Sequence, residues 1–356
     1  MDKGFVAAIN RWMERHPRLS VPLAVVYKFF DDQGNYLAAG LTYYAFVAIF
    51  PLMLLGSSIL GVVLEGRPEL QQSLLDSALN QFPIIGEKLG RPETLRGSPG
   101  SVIAGSLAAL YGALGLGQAI QNAQNQAWSV PRNSRPNPFL MRLRSLGLLV
   151  VVGLALLAIS ILSEIANSTD LFGWAPGGWV GWGLRLGNVI IVAGVLTLLF
   201  RMAAARGHRL VRAAPGGLAV ALMWQVLQYA GGAYVGGILK STSSMTQTFG
   251  LVLGLVAMIY VGAVMAILGV ELNVVLAAKL YPRTLLAPFV DGVRLTLADR
   301  KVYEGLATSQ RLKGFEHISV DFDMSPLEVR TAQEQAEAQA EAAANQSDPS
   351  IDSTGS

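Results

Sequence analysis

The sequence predicts an all-α, polytopic membrane protein: a bundle of six transmembrane helices with the N- and C-termini cytoplasmic. Three observations predict it. Of the 356 residues, 52% are hydrophobic and only 14% charged, where a soluble domain carries about 25% charged residues. The charges are expelled from six runs: none occurs between Asp32 and Glu65, Arg96 and Arg132, Arg144 and Glu164, Arg185 and Arg201, Arg212 and Lys240, or Lys240 and Glu271. The loops between these runs then alternate in basicity. A helix needs about 20 predominantly apolar residues to cross the hydrocarbon core, and five of the runs supply that length directly. In the fourth run, Arg185 must reach the headgroups with its long side chain.

In chain order, residues 1–36 read as a cytoplasmic or interfacial segment. Trp12, Tyr27, Phe29 and Phe30 stand there among Lys3, Arg11, Arg15, Arg18 and Lys28, a mixture suited to a helix at the inner interface or to an irregular lead-in. No apolar stretch followed by a small-residue cleavage site is seen, so no removed leader is expected. The membrane domain is placed at 37–280, with spans at 38–62, 101–122, 145–165, 180–200, 214–237 and 248–277. Pro51 predicts a kink in the first span. Between the first two spans, Leu70, Leu74, Ala78 and Phe82 recur at helical spacing between Pro68 and Pro83, predicting an external amphipathic helix over 68–82. Trp174, Trp179 and Trp182 around the turn residues before the fourth span suit the outer interface. The pairs Gly183/Gly187, Gly232/Gly236 and Gly250/Gly254 are four apart, a spacing that lets helix backbones approach closely. Tight internal packing is the expectation and a homo-oligomer contact the alternative. Residues 281–330 are mixed and charged, a cytoplasmic segment. Residues 331–356, rich in Ala, Gln, Glu and Ser, read as a disordered acidic tail.

Orientation follows from the loops. The segment with Arg132, Arg135, Arg142 and Arg144, and the one with Arg201, Arg206, Arg209 and Arg212, contain no acid. By the positive-inside rule both are cytoplasmic, and so are both termini.

Polar groups inside the spans are the place to look for function, because lipid rejects them. Gln118, Gln121, Asn122 and Asn125 share one face at the inner end of the second span. Gln225, Gln228 and Tyr229, beside Trp224, share a side of the fifth near mid-membrane. Glu271 and Asn273 lie near the inner end of the sixth, and Glu271 is the only acid within the six spans apart from Glu164 at an edge. These residues form a candidate substrate or ion pathway, or else join helices. A charge at the bilayer centre costs about 2.5 to 3.5 kcal/mol on insertion scales, so Glu271 needs a partner, for which Arg201, Arg206 and Arg212 are candidates. With Arg142 and Arg144 these arginines are also candidate contacts for anionic lipid headgroups.

The order of motifs carries a resemblance. Asp31-Asp32, the run Ala38-Ala39-Gly40-Leu41-Thr42-Tyr43-Tyr44-Ala45-Phe46 and Phe50-Pro51-Leu52 resemble the first-helix signature of the YihY/BrkB family of bacterial inner-membrane proteins. Pro215-Gly216-Gly217, Trp224, Tyr234-Val235, Thr248-Phe249-Gly250, Ile259-Tyr260 and Leu268-Gly269-Val270-Glu271-Leu272-Asn273 resemble its C-terminal half. The match covers about 31–280; Phe249 stands where the family usually has Tyr, and Val270 where it usually has Ala. The resemblance implies a six-helix protein of the bacterial inner membrane. Members have carried ribonuclease BN and virulence labels, and a role in envelope-lipid transport has been suggested.

The ribonuclease label does not fit the residues. His16, His208 and His317 lie in three separate segments, and neither a carboxylate cluster nor a Gly-rich loop followed by Lys offers metal-assisted or phosphate chemistry. The absence of cysteine removes disulfides, thiolate metal sites and a cysteine nucleophile. No catalytic residues, metal, cofactor or nucleic-acid partner is therefore expected. The expected function is a transporter or lipid-handling protein moving an anionic lipid or small solute across or within the inner membrane. Membrane lipids, anionic ones among them, are its expected partners. A non-transporting scaffold or envelope-assembly factor is the alternative.

Overall fold

The computed structural model describes residues 3–63, 99–167, 179–205, 209–238, 244–290 and 293–322. These residues are helical and irregular, with no strand among them. Two helices lead in, α1 (Lys3–Arg15) and α2 (Val21–Asp31), followed by six long ones: α3 (Gly34–Val63), α4 (Pro99–Ala127), α5 (Pro138–Asn167), α6 (Trp179–Ala203), α7 (Leu210–Ile238) and α8 (Ser244–Ala278). A final helix, α9 (Leu297–Ser309), follows an irregular stretch.

Each predicted span falls inside one of the six long helices. Windows within α5, α6, α7 and α8 (Pro138–Ala155, Leu186–Ala203, Leu210–Tyr234 and Phe249–Ala278) are long and apolar enough to cross a membrane. The helices extend beyond the predicted spans because propensity and capping, not hydropathy, set where a helix stops. The predicted external helix at 68–82 and the tail at 331–356 lie outside the described residues.

The six long helices close into a ring. α3 packs on α4, α4 on α5, α5 on α6, α6 on α7, α7 on α8, and α8 returns to α3, while α2 packs against α8. One cluster of buried apolar side chains ties a single end of this ring together. It contains Ala24 and Val25 of α2, Ala127 of α4, Phe200 of α6, Ala213 and Val220 of α7, Val270, Val274 and Val275 of α8, Leu280, and Val302 of α9. Leu280 and α9 are thus part of the folded body at that end.

Close helix approach does occur, but at only one of the predicted glycines described, Gly254. A Cβ added at Gly183, Gly187 or Gly232 would meet nothing within 4 Å, so these positions do not mediate internal packing. Gly254 does pack, against the Tyr234 ring. The tightest crossing is α7 on α8, where a Cβ on Gly216 would collide with the Gly269 carbonyl oxygen and the Asn273 amide. Backbone cannot yield as a side-chain tip can, so Gly216→Ala is expected to cost about 1–3 kcal/mol by overpacking. A lowered thermal midpoint in detergent, set against an unchanged midpoint for Gly187→Ala, is the check.

Candidate functional site

Helix α2 brings the first charged group to the bundle. Proline in its first turn suits a helix start, and the helix ends at Asp32 and Gln33, where a left-handed φ of 57° turns the chain into α3. Only a small side chain fits after this turn, because a Cβ on Gly34 would strike the Phe29 ring. The buried face of α2 is Ala24, Val25, Tyr27, Lys28 and Phe29. Lys28 is therefore not a base at the lipid interface: it points under the ring with 1% exposure.

There the Lys28 ammonium contacts Asp32, one turn further on, and donates to the Ala127 carbonyl of α4 at 3.2 Å. Its Nζ lies 3.7 Å from Glu271 Oε2 on α8. Glu271, Asp32 and Lys28 are all buried to 1% exposure or less. Burial alone would lower the Lys28 ammonium, but the Glu271 and Asp32 charges outweigh it and hold it above the ordinary lysine range. Lys28 does not satisfy all the oxygens around it: Asp32 Oδ1 and both Glu271 oxygens are buried without a hydrogen-bond donor among the described residues. Among the described residues the partner of Glu271 is consequently Lys28. Arg201 and Arg212 are exposed, while Arg206 lies outside the described residues.

A second ion-pair group stands directly beside the first. Asp31, the neighbour of Asp32, accepts from Arg283 Nη1 at 2.9 Å, and Arg283 Nε contacts Asp299 at the start of α9. The guanidinium lies between the Tyr27 and Tyr303 rings, 6.0 and 5.7 Å from their centroids, a geometry for cation–π attraction. Asp299 also caps α9 reciprocally with Thr296 and accepts from the Thr284 backbone at 3.0 Å. Further bonds fasten the stretch before α9: Leu286 N donates to Tyr27 Oη at 2.9 Å, Leu285 N to Asn10 at 2.9 Å, and Tyr303 Oη to the Ala287 carbonyl at 3.0 Å. Residues 280–290 and 293–309 therefore form a lid docked on α2, and consecutive aspartates face its two sides. Asp31 holds the lid and Asp32 faces the ring.

The two carboxylates of the lid joint, Asp299 and Asp31, shift in opposite directions. Burial pushes Asp299 up, but Arg283 and the bonds from Thr284 and Thr296 outweigh it and hold this carboxyl below the usual aspartate range. Its contribution is present above the unfolded value of about 3.9 and is lost as pH falls through the lower folded value. Asp31 has the opposite sign, because burial raises it more than Arg283 lowers it. A spin label at the exposed Lys301→Cys, unambiguous in a cysteine-free chain, should stay immobile to about pH 4 and loosen only below. Asp31→Asn should leave that acid release in place; release near neutral pH would count against the Asp299 assignment.

The remaining predicted site residues divide into joined, half-buried and outward-facing groups. Gln121 is buried, and its Nε2, with two hydrogens to donate, lies within hydrogen-bond reach of Gly117 O, Met141 O and Ser145 Oγ at 3.1, 2.9 and 3.0 Å, joining α4 to α5. Asn273 accepts from Gly216 N at 2.7 Å, joining α8 to α7 beside Pro215. Asn125 is buried with an unpartnered Oδ1, Gln118 is half-buried and Asn122 is exposed. The expected single polar face of α4 is therefore split. On α7, Gln225 and Gln228 are half-buried, but Tyr229 is 83% exposed on the outside of the ring. Tyrosine is amphipathic enough to face a membrane, so its polarity did not force it inward. Arg142 is exposed, and Arg144 is half-buried with an unpartnered Nη1. Sequence reasoning missed the roles of Lys28, Asp31, Asp32, Arg283, Asp299 and Gln124, the last being buried and accepting from Trp128 Nε1 at 3.1 Å. The i, i+4 pairing of Lys28 with Asp32 was the one local signal.

Comparison with known proteins shows the family of the chain. UPF0761 membrane proteins of Stenotrophomonas maltophilia strains K279a and R551-3 are each 27% identical to the chain over 285 residues, 77% of its length. The chain covers 65% of the length of these relatives. No solved structure matches it. Residues 25–288 match the family model described as "Virulence factor BrkB", a stretch that begins at the buried face of α2 and ends within the lid. The chain belongs to this BrkB family, as a multi-pass membrane protein.

Proposed function

We propose that the protein is a six-span transporter or lipid-handling protein of the bacterial inner membrane, acting on an anionic lipid or small solute and having no enzymatic activity. The observation that carries this reading is the Lys28–Asp32–Glu271 cluster. Two carboxylates face one lysine, fully buried where a membrane helix meets α2. An ion pair kept only for architecture has its oxygens satisfied by donors, since unpaired buried charge is costly; here three are not. Intramembrane charge retained at such cost marks an ion or substrate path by default. The orientation has support too. The Arg132 loop bonds the residues just after α9, with Asn133 N donating to Arg311 O at 3.1 Å, and Phe200 of α6 and Ala213 of α7 enter the same apolar cluster as Val302 of α9. Arg132 and Arg135 of the first basic segment, and the helix ends that flank the second, thus lie toward the lid, and the positive-inside rule supports reading that end as cytoplasmic. Anionic headgroups would be drawn to that rim through exposed Arg142, Arg201 and Arg212.

The test is complementation of a deletion strain with an envelope-lipid or solute phenotype. Glu271→Gln keeps the shape of the side chain but removes its charge, and is expected to insert at normal level and fail to complement. Full complementation would remove the site assignment. A scaffold would instead be indicated if Glu271→Gln complements while a chain cut after Phe322, which leaves the docked lid intact, does not.

A further inference from the structure

The charge balance of the buried cluster does not close with the side chains that surround it. Lys28 brings one positive charge to Asp32 and Glu271, which bring two negative ones. Helices α3 and α4, both packed on α8, carry no charged side chain, and on α7 Arg212 is exposed. Arg283 is occupied by Asp31 and Asp299 on the lid side, with Tyr27 and Tyr303 against its faces. No other cation among the described residues faces Glu271. Meanwhile Asp32 Oδ1 and both Glu271 oxygens lack a donor among the described residues, and the single ammonium that contacts Asp32 also lies 3.7 Å from Glu271 Oε2, so one cation holds both carboxyl groups together. Two carboxylates brought together in this way can hydrogen-bond each other only if one of them carries a proton.

We propose that Asp32 and Glu271 form a proton-binding site that holds one exchangeable proton between their carboxyl groups. Loading takes one proton from water and forms one carboxyl O–H bond. The cluster is then neutral, with one ammonium, one carboxylate and one carboxylic acid whose O–H donates across the pair. Release returns the proton to water and leaves one unbalanced negative charge at the joint of α2 with α8. The proton belongs to the pair and not to either residue alone. Because Asp31 next to Asp32 holds Arg283 and the lid, a change of charge at the pair is felt where the lid docks. The functional meaning of this site rests on the carrier reading, which it deepens by naming protons as the coupling ion.

Infrared spectroscopy of the full chain in lipid nanodiscs tests the site without requiring a transported substrate. The wild type should show the carbonyl band of a protonated, buried carboxyl at neutral pH, shifted in deuterium oxide and lost as pH rises. Glu271→Gln should abolish it, and Asp31→Asn should not. Because Glu271→Gln can fold poorly, wild-type protein is also treated with a hydrophobic carbodiimide, which attacks protonated carboxyls. Mass spectrometry should find the adduct on Asp32 or Glu271, decreasing as pH rises and unaffected by exchanging sodium for choline. Absence of both band and adduct throughout the folded pH range would overturn the proposal, and so would protection by sodium, which would make a metal cation the occupant. A wild-type band together with no solute or lipid movement in vesicles would instead remove the carrier reading and leave the proton site standing.

Discussion

Arg283→Met is expected to release the lid and to destabilise the protein by about 3–5 kcal/mol, the range for breaking a buried ion pair from one side. The arginine is 1% exposed and is the common partner of Asp31 on α2 and Asp299 on α9. Methionine fills similar space but leaves both carboxylates facing each other without a cation. Asp299 still caps α9 through Thr296, so the helix itself should persist while its docking fails. The expected readings are a lowered thermal midpoint and new protease cleavage between 284 and 296, upstream of α9. Arg283→Lys should recover only part of the loss, because one ammonium cannot reproduce the guanidinium fork that reaches both acids. Unchanged cleavage in Arg283→Met would mean that Tyr27 Oη, Asn10 and the apolar contacts of Val302 hold the lid unaided.

Lys28→Met should cost about as much, 3–5 kcal/mol, through the ring side of α2. Among the described residues it removes the one cation facing Asp32 and Glu271, and it leaves the Ala127 carbonyl without its side-chain donor. The loss should shrink when Asp32→Asn is added, since the change then removes a charge along with its counter-charge. Thermal unfolding of the purified protein reads both. If Lys28→Met alone is as stable as wild type, the buried cluster does not exist as described.

Much of the fold was legible in the sequence because one physical effect dominates it. Charges are excluded from lipid-facing helices whatever they pack against, so the six charge-free runs locate all six long helices. The contacts among those helices were not legible to the same degree. Gly183 and Gly187 have the same spacing as many packed pairs yet face open space, while Gly216 and Gly269, 53 positions apart in the chain, make the closest crossing. The site shows the same division. Glu271 was visible as the one acid deep in a span, and its burial agrees. Its partner was sought among the arginines nearest the inner rim, because loop charge is what sequence displays. Lys28 lies 243 positions away, and only the packing of α2 under α8 brings it there. Arg283 was hidden likewise, in a charged segment whose composition does not distinguish a docked lid from a solvated linker.

The central claim is that Lys28, and not an arginine of the inner rim, is the counter-charge of Glu271. A double-mutant cycle on thermal stability measures it directly, pairing Lys28→Met with Glu271→Gln and, as control, Arg201→Gln with Glu271→Gln. The structure predicts a coupling on the order of 1–3 kcal/mol for the first pair, the double variant being less destabilised than the single changes sum to, and additivity for the second. Additivity between Lys28 and Glu271, with coupling between Arg201 and Glu271, would contradict it.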